Sequence, residues 1–246
     1  MHRKYLEESV VKIVHRTAGI IVSLAFIIIL LITSFEIGIY SDFDWYEKEY
    51  EKYNVLTDLQ MEMDDVMDVT HEMMSYLRGD RENLVIDTVV GGEEREFFND
   101  REKAHMVDVQ RLFLGGLDLQ LAAFVIAITA LLILAFSKAE WKKILPQSFL
   151  IGLGGFIVLA GAFGALVVTN FNKYFLLFHE LFFDNDLWIL DPDTDLMIRM
   201  LPEGFFFDMV MRIGSIFIAL LIVSAGTSVF ALWRQRREKK MEKRIK

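Results

Sequence analysis

The sequence predicts an all-α membrane protein: four transmembrane helices with a mostly helical extracytoplasmic cap. Three observations lead there. The 246-residue chain is 54% hydrophobic, with mean hydropathy +0.35, yet 25% of it is charged, so long apolar blocks alternate with very polar ones. Four of those blocks reach the roughly 20 residues that a helix needs to cross a bilayer. Basic residues gather on the short segments beside them, which fixes the direction of crossing.

Residues 1–17 form a basic amino terminus carrying Arg3, Lys4, Lys12 and Arg16. The first span, 18–39, follows it as an h-region follows the start of a signal peptide. It is too long for that and lacks an Ala-x-Ala-like cleavage site, so it reads as a retained helix. Residues 40–118 make the cap. No glycine or proline lies between Gly38 and Gly79, and Val55, Leu59, Met63, Val66, Thr70, Met73 and Leu77 recur at steps of three and four. That spacing predicts an amphipathic helix with an acidic opposite face. Thr57 and Gln60 have capping-box spacing near its start. Leu84 to Val90 reads as a strand or a turn of helix ended by Gly91-Gly92.

A second cap helix is expected over about 100–114, because Asn99 and Glu102 again have capping-box spacing. Gly115-Gly116 is expected to interrupt it and let the chain bend before the second span, 119–136. Residues 137–148 form a short loop with Lys138, Lys142 and Lys143. The third span, 149–169, is rich in small residues, and Ala160/Gly164 and Gly161/Ala165 have small-xxx-small spacing. Close packing inside the bundle is the first reading of that pattern, and a homodimer face the second. Residues 170–212 form an interfacial outer loop and 213–233 the fourth span. The tail, 234–246, is basic and suits anchoring on anionic lipid.

Charge orients these elements. More than half of the 26 Lys and Arg residues lie on the three short segments 1–17, 137–148 and 234–246, which predicts that both termini are cytoplasmic. Most of the 35 carboxylates then fall outside, where they solvate the cap and repel nucleic acid. There is no cysteine, so no disulfide braces the cap and no thiolate nucleophile exists. Disulfide-free outer domains are common in Gram-positive bacteria. No Gly-rich phosphate loop follows a strand, so nucleotide use is unsupported. No Gly-x-Ser-x-Gly elbow occurs, and the outer serines, Ser41 and Ser75, have no nucleophile context. No His-Glu-x-x-His zinc motif is present, because Leu181, Phe182 and Phe183 follow His179-Glu180.

Three outer histidines remain. His71 falls on the acidic face of its helix and reads as an ordinary surface residue. His105 shares a helix face with Asp108, three residues on. His179 emerges beyond the third span among Phe178, Phe182 and Phe183. Either imidazole could be structural alone. Together at a lipid–water boundary they suit proton transfer near neutral pH.

At these residues a resemblance becomes specific. His105-Met106-Val107-Asp108-Val109, Phe178-His179-Glu180-Leu181-Phe182-Phe183, the Trp188-to-Asp195 run with Asp191-Pro192, and Leu201-Pro202-Glu203-Gly204-Phe205-Phe206 resemble the lipoprotein intramolecular transacylase family (Lit) of low-GC Gram-positive bacteria. The likeness covers the whole chain in layout and the two outer patches in sequence. It implies transfer of an acyl chain from the glyceryl moiety of a diacylglyceryl-cysteine lipoprotein to the cysteine α-amino group, giving a lyso-form lipoprotein. It implies His105 and His179 as the catalytic pair.

Diacylglyceryl lipoproteins and membrane lipid are then the partners, with no nucleic acid, nucleotide or cofactor. The chemistry agrees: ester to amide is downhill, and attack within one molecule needs no covalent nucleophile. Asp108 is expected to orient His105, with Glu180 and Asp195 in supporting roles. Asp191-Pro192 reads as a turn, and Asp195 as the cap of the element after it. Phe178, Phe182, Phe183 and Trp188 are expected to anchor the segment and contact lipid or acyl chain. Two rival readings stay open: a metal-dependent membrane hydrolase using both histidines and nearby carboxylates, and a non-enzymatic sensor or assembly protein.

Overall fold

A computed structural model describes residues 2–245. Among the described residues, four helices are long and apolar enough to cross a membrane. They are α1 (His2–Tyr40), α5 (Asp100–Phe136), α6 (Trp141–Thr169) and α9 (Glu203–Ile245). Between α1 and α5 lie α2 (Asp44–Lys52), α3 (Val55–Leu59), α4 (Met63–Arg78) and a hairpin of β1 (Asp87–Val90) with β2 (Glu93–Glu96). Between α6 and α9 lie α7 (Phe171–Phe182) and α8 (Leu196–Met200). The chain divides into two compact units. One comprises residues 1–34, 119–165 and 215–246, the other residues 35–118 and 166–214.

The first unit is built around α1. Ala25 and Ile29 of α1 pack with Ala123 and Ala127 of α5. Ile27 and Leu30, on its other side, pack with Phe149 and Leu153 of α6 and Phe217 and Leu221 of α9. Gln120 donates to Thr33 Oγ1 at 3.1 Å, satisfying a polar side chain within the bundle. Leu121, Ile126, Val158 and Ile222 stay exposed, as lipid-facing positions do.

The small residues of α6 are not used as the spacing predicts. Only Gly152 meets a neighbour, with Ser23 Cβ 3.7 Å from where its own Cβ would stand. Side chains added at Gly154, Gly155, Gly161 or Gly164 would enter open space. The face carrying Phe149 and Leu153 meets α1, and the later glycines lie beyond it.

The second unit has an ordinary apolar core. Tyr46, Tyr50, Val55, Leu59, Val66, Val69, Met73, Phe97 and Phe98 are all but inaccessible. Thr70, expected on the buried face, is held there by a 2.7 Å hydrogen bond with the Tyr50 hydroxyl. The single amphipathic helix expected from Val55 to Leu77 is two, α3 and α4, and the Thr57/Gln60 capping box does not form. Gln60 instead adopts φ 55° and ends α3. The apolar rhythm survives because the break turns the chain without changing which face is inward.

Of the stretch from Leu84 to Val90 before Gly91-Gly92, Asp87–Val90 is a strand. Both glycines have positive φ (63° and 82°), which a two-residue turn joining right-twisted strands requires. Gly204 is needed for a different reason. A Cβ there would lie 2.4–2.7 Å from the Tyr53 ring, so α9 starts against α2 only where there is no side chain.

The Asn99/Glu102 box forms as its spacing predicts. Asn99 N donates to Glu102 Oε2 at 2.8 Å, and Glu102 N donates to Asn99 Oδ1 at 3.0 Å. The expected break at Gly115-Gly116 is absent, and α5 runs unbroken for 37 residues. A glycine inside a helix costs about 1 kcal/mol against alanine. Two of them lower stability without stopping a helix whose neighbours on both sides favour it.

Candidate active site

The second unit brings the two singled-out histidines together. His105 lies on the polar first turns of α5, well before the apolar residues 119–136. His179 lies near the end of α7. Their ring centroids are 6.2 Å apart. No bend in α5 is involved. α7 starts afresh after Asn170, whose side chain accepts from Lys173 N at 3.1 Å, and carries His179 about two and a half turns along.

The two imidazoles are held differently. His179 Nδ1 lies 2.7 Å from the main-chain oxygen of Phe175, four residues earlier on the same helix. A carbonyl only accepts, so Nδ1 carries the hydrogen and a neutral His179 has its lone pair on Nε2. The ring is walled by Phe175 at 4.4 Å, Trp188 at 5.0 Å, Phe178 at 5.4 Å and Phe183 at 5.5 Å. His105 is 5% exposed, packs edge-on to Phe183 at 5.2 Å, and has no hydrogen-bond partner at Nδ1.

Burial of this kind disfavours charge. It holds the His179 imidazole below its usual range, against the Phe175 carbonyl, which acts the other way. It pushes His105 down to about 4, with neighbouring His179 acting in the same direction and Asp108 opposing. Both rings are therefore neutral at pH 7.

That has a consequence for stability. The unfolded chain protonates His105 near 6.5, whereas the folded chain resists protonation to about 4. Stability is therefore full above 6.5 and falls as pH drops below it, by up to about 1.4 kcal/mol per pH unit. Thermal unfolding in detergent between pH 6.5 and 5, above the range of ordinary carboxylates, is expected to show this slope. His105→Leu is expected to flatten it. An equal slope in that variant would contradict the assignment.

The residues expected to support the pair divide by what they touch. Asp108 does not bond His105. It accepts from Asn185 Nδ2 at 2.8 Å and from Arg111 at 3.1 Å. Arg101, also on α5, donates to the main-chain oxygen of Asp186. Asp108 and Arg101 thus tie down the start of the segment that brings Phe183 and Trp188 to the histidines, and Asp108 acts on His105 only through space. Glu180 is exposed. Phe183 is buried, while Phe178 and Phe182 are 40% and 51% exposed beside it. His71 is exposed and stacks on Phe43 at 4.1 Å, away from the pair.

Asp191 opens the expected turn, accepting at its carbonyl from Thr194 N at 3.0 Å and Asp195 N at 2.8 Å. Asp195 sits at the cap position of α8, but its side chain does not cap that helix. It accepts instead from Asp191 N and from Asn99 Nδ2, each at 2.7 Å. The capping oxygen comes from Glu102 of α5, which accepts from Met197 N at 2.6 Å. Asn185, Arg101 and the Phe175 carbonyl escaped sequence reasoning. Only the last left a trace, the four-residue step back along the helix from His179.

Among the described residues, no three His, Asp or Glu side chains converge as a metal-ligand set. What the site offers is two neutral imidazoles in an aromatic enclosure, one bonded at Nδ1 and the other not.

Comparison with known proteins supplies the rest. The membrane-integral lipoprotein intramolecular transacylase Lit of Bacillus cereus superposes with TM-score 0.74 at 22% identity, over 91% of this chain and 98% of that one. A form of it with one histidine replaced by arginine gives TM-score 0.74 at 21% identity, over 97% and 100%. These likenesses establish the fold of a multi-pass membrane protein. A protein of Aquifex aeolicus (strain VF5) described as uncharacterized is 31% identical over 133 residues, so the chain spans about half (54%) of that relative's length. Residues 20–206, which include both histidines and every residue tied to them above, match the family described as lipoprotein intramolecular transacylase Lit, and the chain belongs to that family.

Proposed function

We propose that this chain transfers an acyl group within a diacylglyceryl-cysteine lipoprotein, from a glyceryl oxygen to the cysteine α-amino nitrogen. The observation that carries the reading is the imidazole pair, one ring presenting a fixed lone pair and the other buried and hard to protonate. The reaction asks for those two properties. The α-ammonium loses two protons in all as amine becomes amide. One goes to the glyceryl oxygen when its bond to the carbonyl carbon breaks, and one goes to water.

His179 Nε2 takes the first proton, exposing the nitrogen lone pair. The nitrogen attacks the ester carbonyl carbon, and the oxyanion collapses with cleavage of the carbon–oxygen bond. His105 relays the second proton from nitrogen to the departing oxygen. Burial, which pushes its pKa down to about 4, makes its acid form a strong donor. Amine and ester share one molecule, so proximity contributes on the order of 7–11 kcal/mol to lowering the barrier. No acyl-enzyme is required. Phe178, Phe182 and Trp188 give the acyl chain an apolar contact, and Asp108 with Asn185 steadies that wall.

The test uses a diacylglyceryl lipopeptide with isotope-labelled acyl chains, mixed with unlabelled phospholipid and the purified protein. The N-acyl product is expected to keep the label, with one chain leaving glycerol for each amide formed. Unlabelled product, or label bound covalently to the enzyme, would overturn it.

The reaction also requires the histidines to face the leaflet that holds the lipoprotein. The basic residues on the short segments support a cytoplasmic location for both termini, with residues 40–118 outside. Reporters fused at Glu94 and after Lys246 are expected to show opposite sidedness. Same-side signals would defeat this topology.

A further inference from the structure

The histidine chemistry leaves one recess of the first unit unused. Helices α1, α6 and α9 enclose an open groove of about 810 Å³, within the range of about 300–1,000 Å³ typical of ligand sites. Its walls include Val22, Phe26, Leu145, Phe149 and Phe230. Three of the hydroxyls along it already donate within their own helices. Ser23 donates to Gly19 O at 2.7 Å, Ser224 to Leu220 O at 2.8 Å and Thr227 to Ser224 O at 2.9 Å, each on its own helix. The wall therefore suits hydrocarbon.

One end differs. Lys142 and Arg234 line the groove there, with Glu238 accepting from Arg234 Nε at 2.9 Å, so one positive charge is in excess. That end is also braced. Pro146 has no N–H for the Lys142 carbonyl, and Gln235 of α9 supplies one instead, at 2.8 Å. A proline in α6 thus fixes the gap between α6 and α9 where the charges sit.

We propose that this groove holds one anionic glycerophospholipid. Its phosphate lies against Lys142 and Arg234, and an acyl chain runs between the helices toward Phe149. The lipid comes from the leaflet beside the basic segments. This site is separate from the histidine pair and does not depend on the transacylase reading.

The experiment is native mass spectrometry of the purified full chain in detergent, with phosphatidylglycerol or phosphatidylcholine of identical acyl chains. One phosphatidylglycerol is expected to be retained per chain, with at least tenfold preference over phosphatidylcholine. Lys142→Gln and Arg234→Gln are each expected to weaken retention about fivefold. Inorganic phosphate at equal concentration is expected not to compete, because the headgroup alone leaves the groove unfilled. Equal retention of phosphatidylcholine, full competition by phosphate, or unchanged retention in the double variant would overturn the proposal. So would a dimer mass with no lipid. If a variant fails to fold, the headgroup preference of the unaltered chain decides by itself.

Discussion

His179→Ala and His105→Ala are each expected to lower acyl transfer by about 10²–10⁴-fold, the usual contribution of a general acid or base. His71→Ala is expected to stay active, since His71 is exposed and touches Phe43 rather than the pair. The assay is mass spectrometry of the lipopeptide product, with monodispersity in detergent as the check on folding. His179→Asn separates chemistry from packing. Its amide can still donate to the Phe175 carbonyl, but it has no basic nitrogen, so a folded and inactive protein is expected. Substantial activity in either alanine variant would remove that histidine from the mechanism. The pH profile has a definite sign. The working form of each ring is neutral, and burial holds both below 6.5. Activity lost through protonation of the enzyme is therefore expected only below that value.

The largest stability effect is expected at Glu102, which is wholly buried yet serves two helices at once. Its carboxylate accepts from Asn99 N at the start of α5 and from Met197 N at the start of α8. Burial raises its pKa, and these two main-chain donors oppose that shift. Glu102→Ala leaves both donors unpaired, at about 1–3 kcal/mol each, so a loss of about 2–6 kcal/mol is expected. Glu102→Gln keeps one accepting oxygen and is expected to fall between alanine and the native residue. Thermal unfolding of the three proteins measures the order. An alanine variant as stable as the native chain would show that water or a local shift satisfies these donors.

Glu102 also shows how far the sequence could be read. Its partnership with Asn99 is local, three residues apart, and the spacing states it. Its bond to Met197 crosses 95 residues and has no local signature. The same division runs through the site. The spans and the buried face of α4 follow from periodicity and length, which neighbouring residues encode. The two histidines stood out because aromatic and titratable residues cluster around them.

Turn chemistry was less legible. Gln60 adopts positive φ without being glycine, with its carbonyl accepting from Gly91 N at 3.0 Å, and Gly115-Gly116 stays helical despite being glycine, because the helical residues on both sides outweigh a modest backbone preference. Asp108 looked like a partner for His105 because both lie on one helix face. The structure gives its carboxylate to Asn185, a residue that only the tertiary fold brings near.

The bond from His179 to the Phe175 carbonyl has an evolutionary consequence. In sites where a carboxylate side chain selects the histidine tautomer, a single codon change can remove the selecting group. Here the selecting oxygen belongs to the main chain and lies on the same helix as the ring it governs. Substitution at position 175 alters the packing beside the ring but leaves the oxygen in place. Any lineage that keeps this helix and this histidine inherits a neutral ring with its hydrogen on Nδ1 and its lone pair on Nε2, whatever happens to the side chains around it.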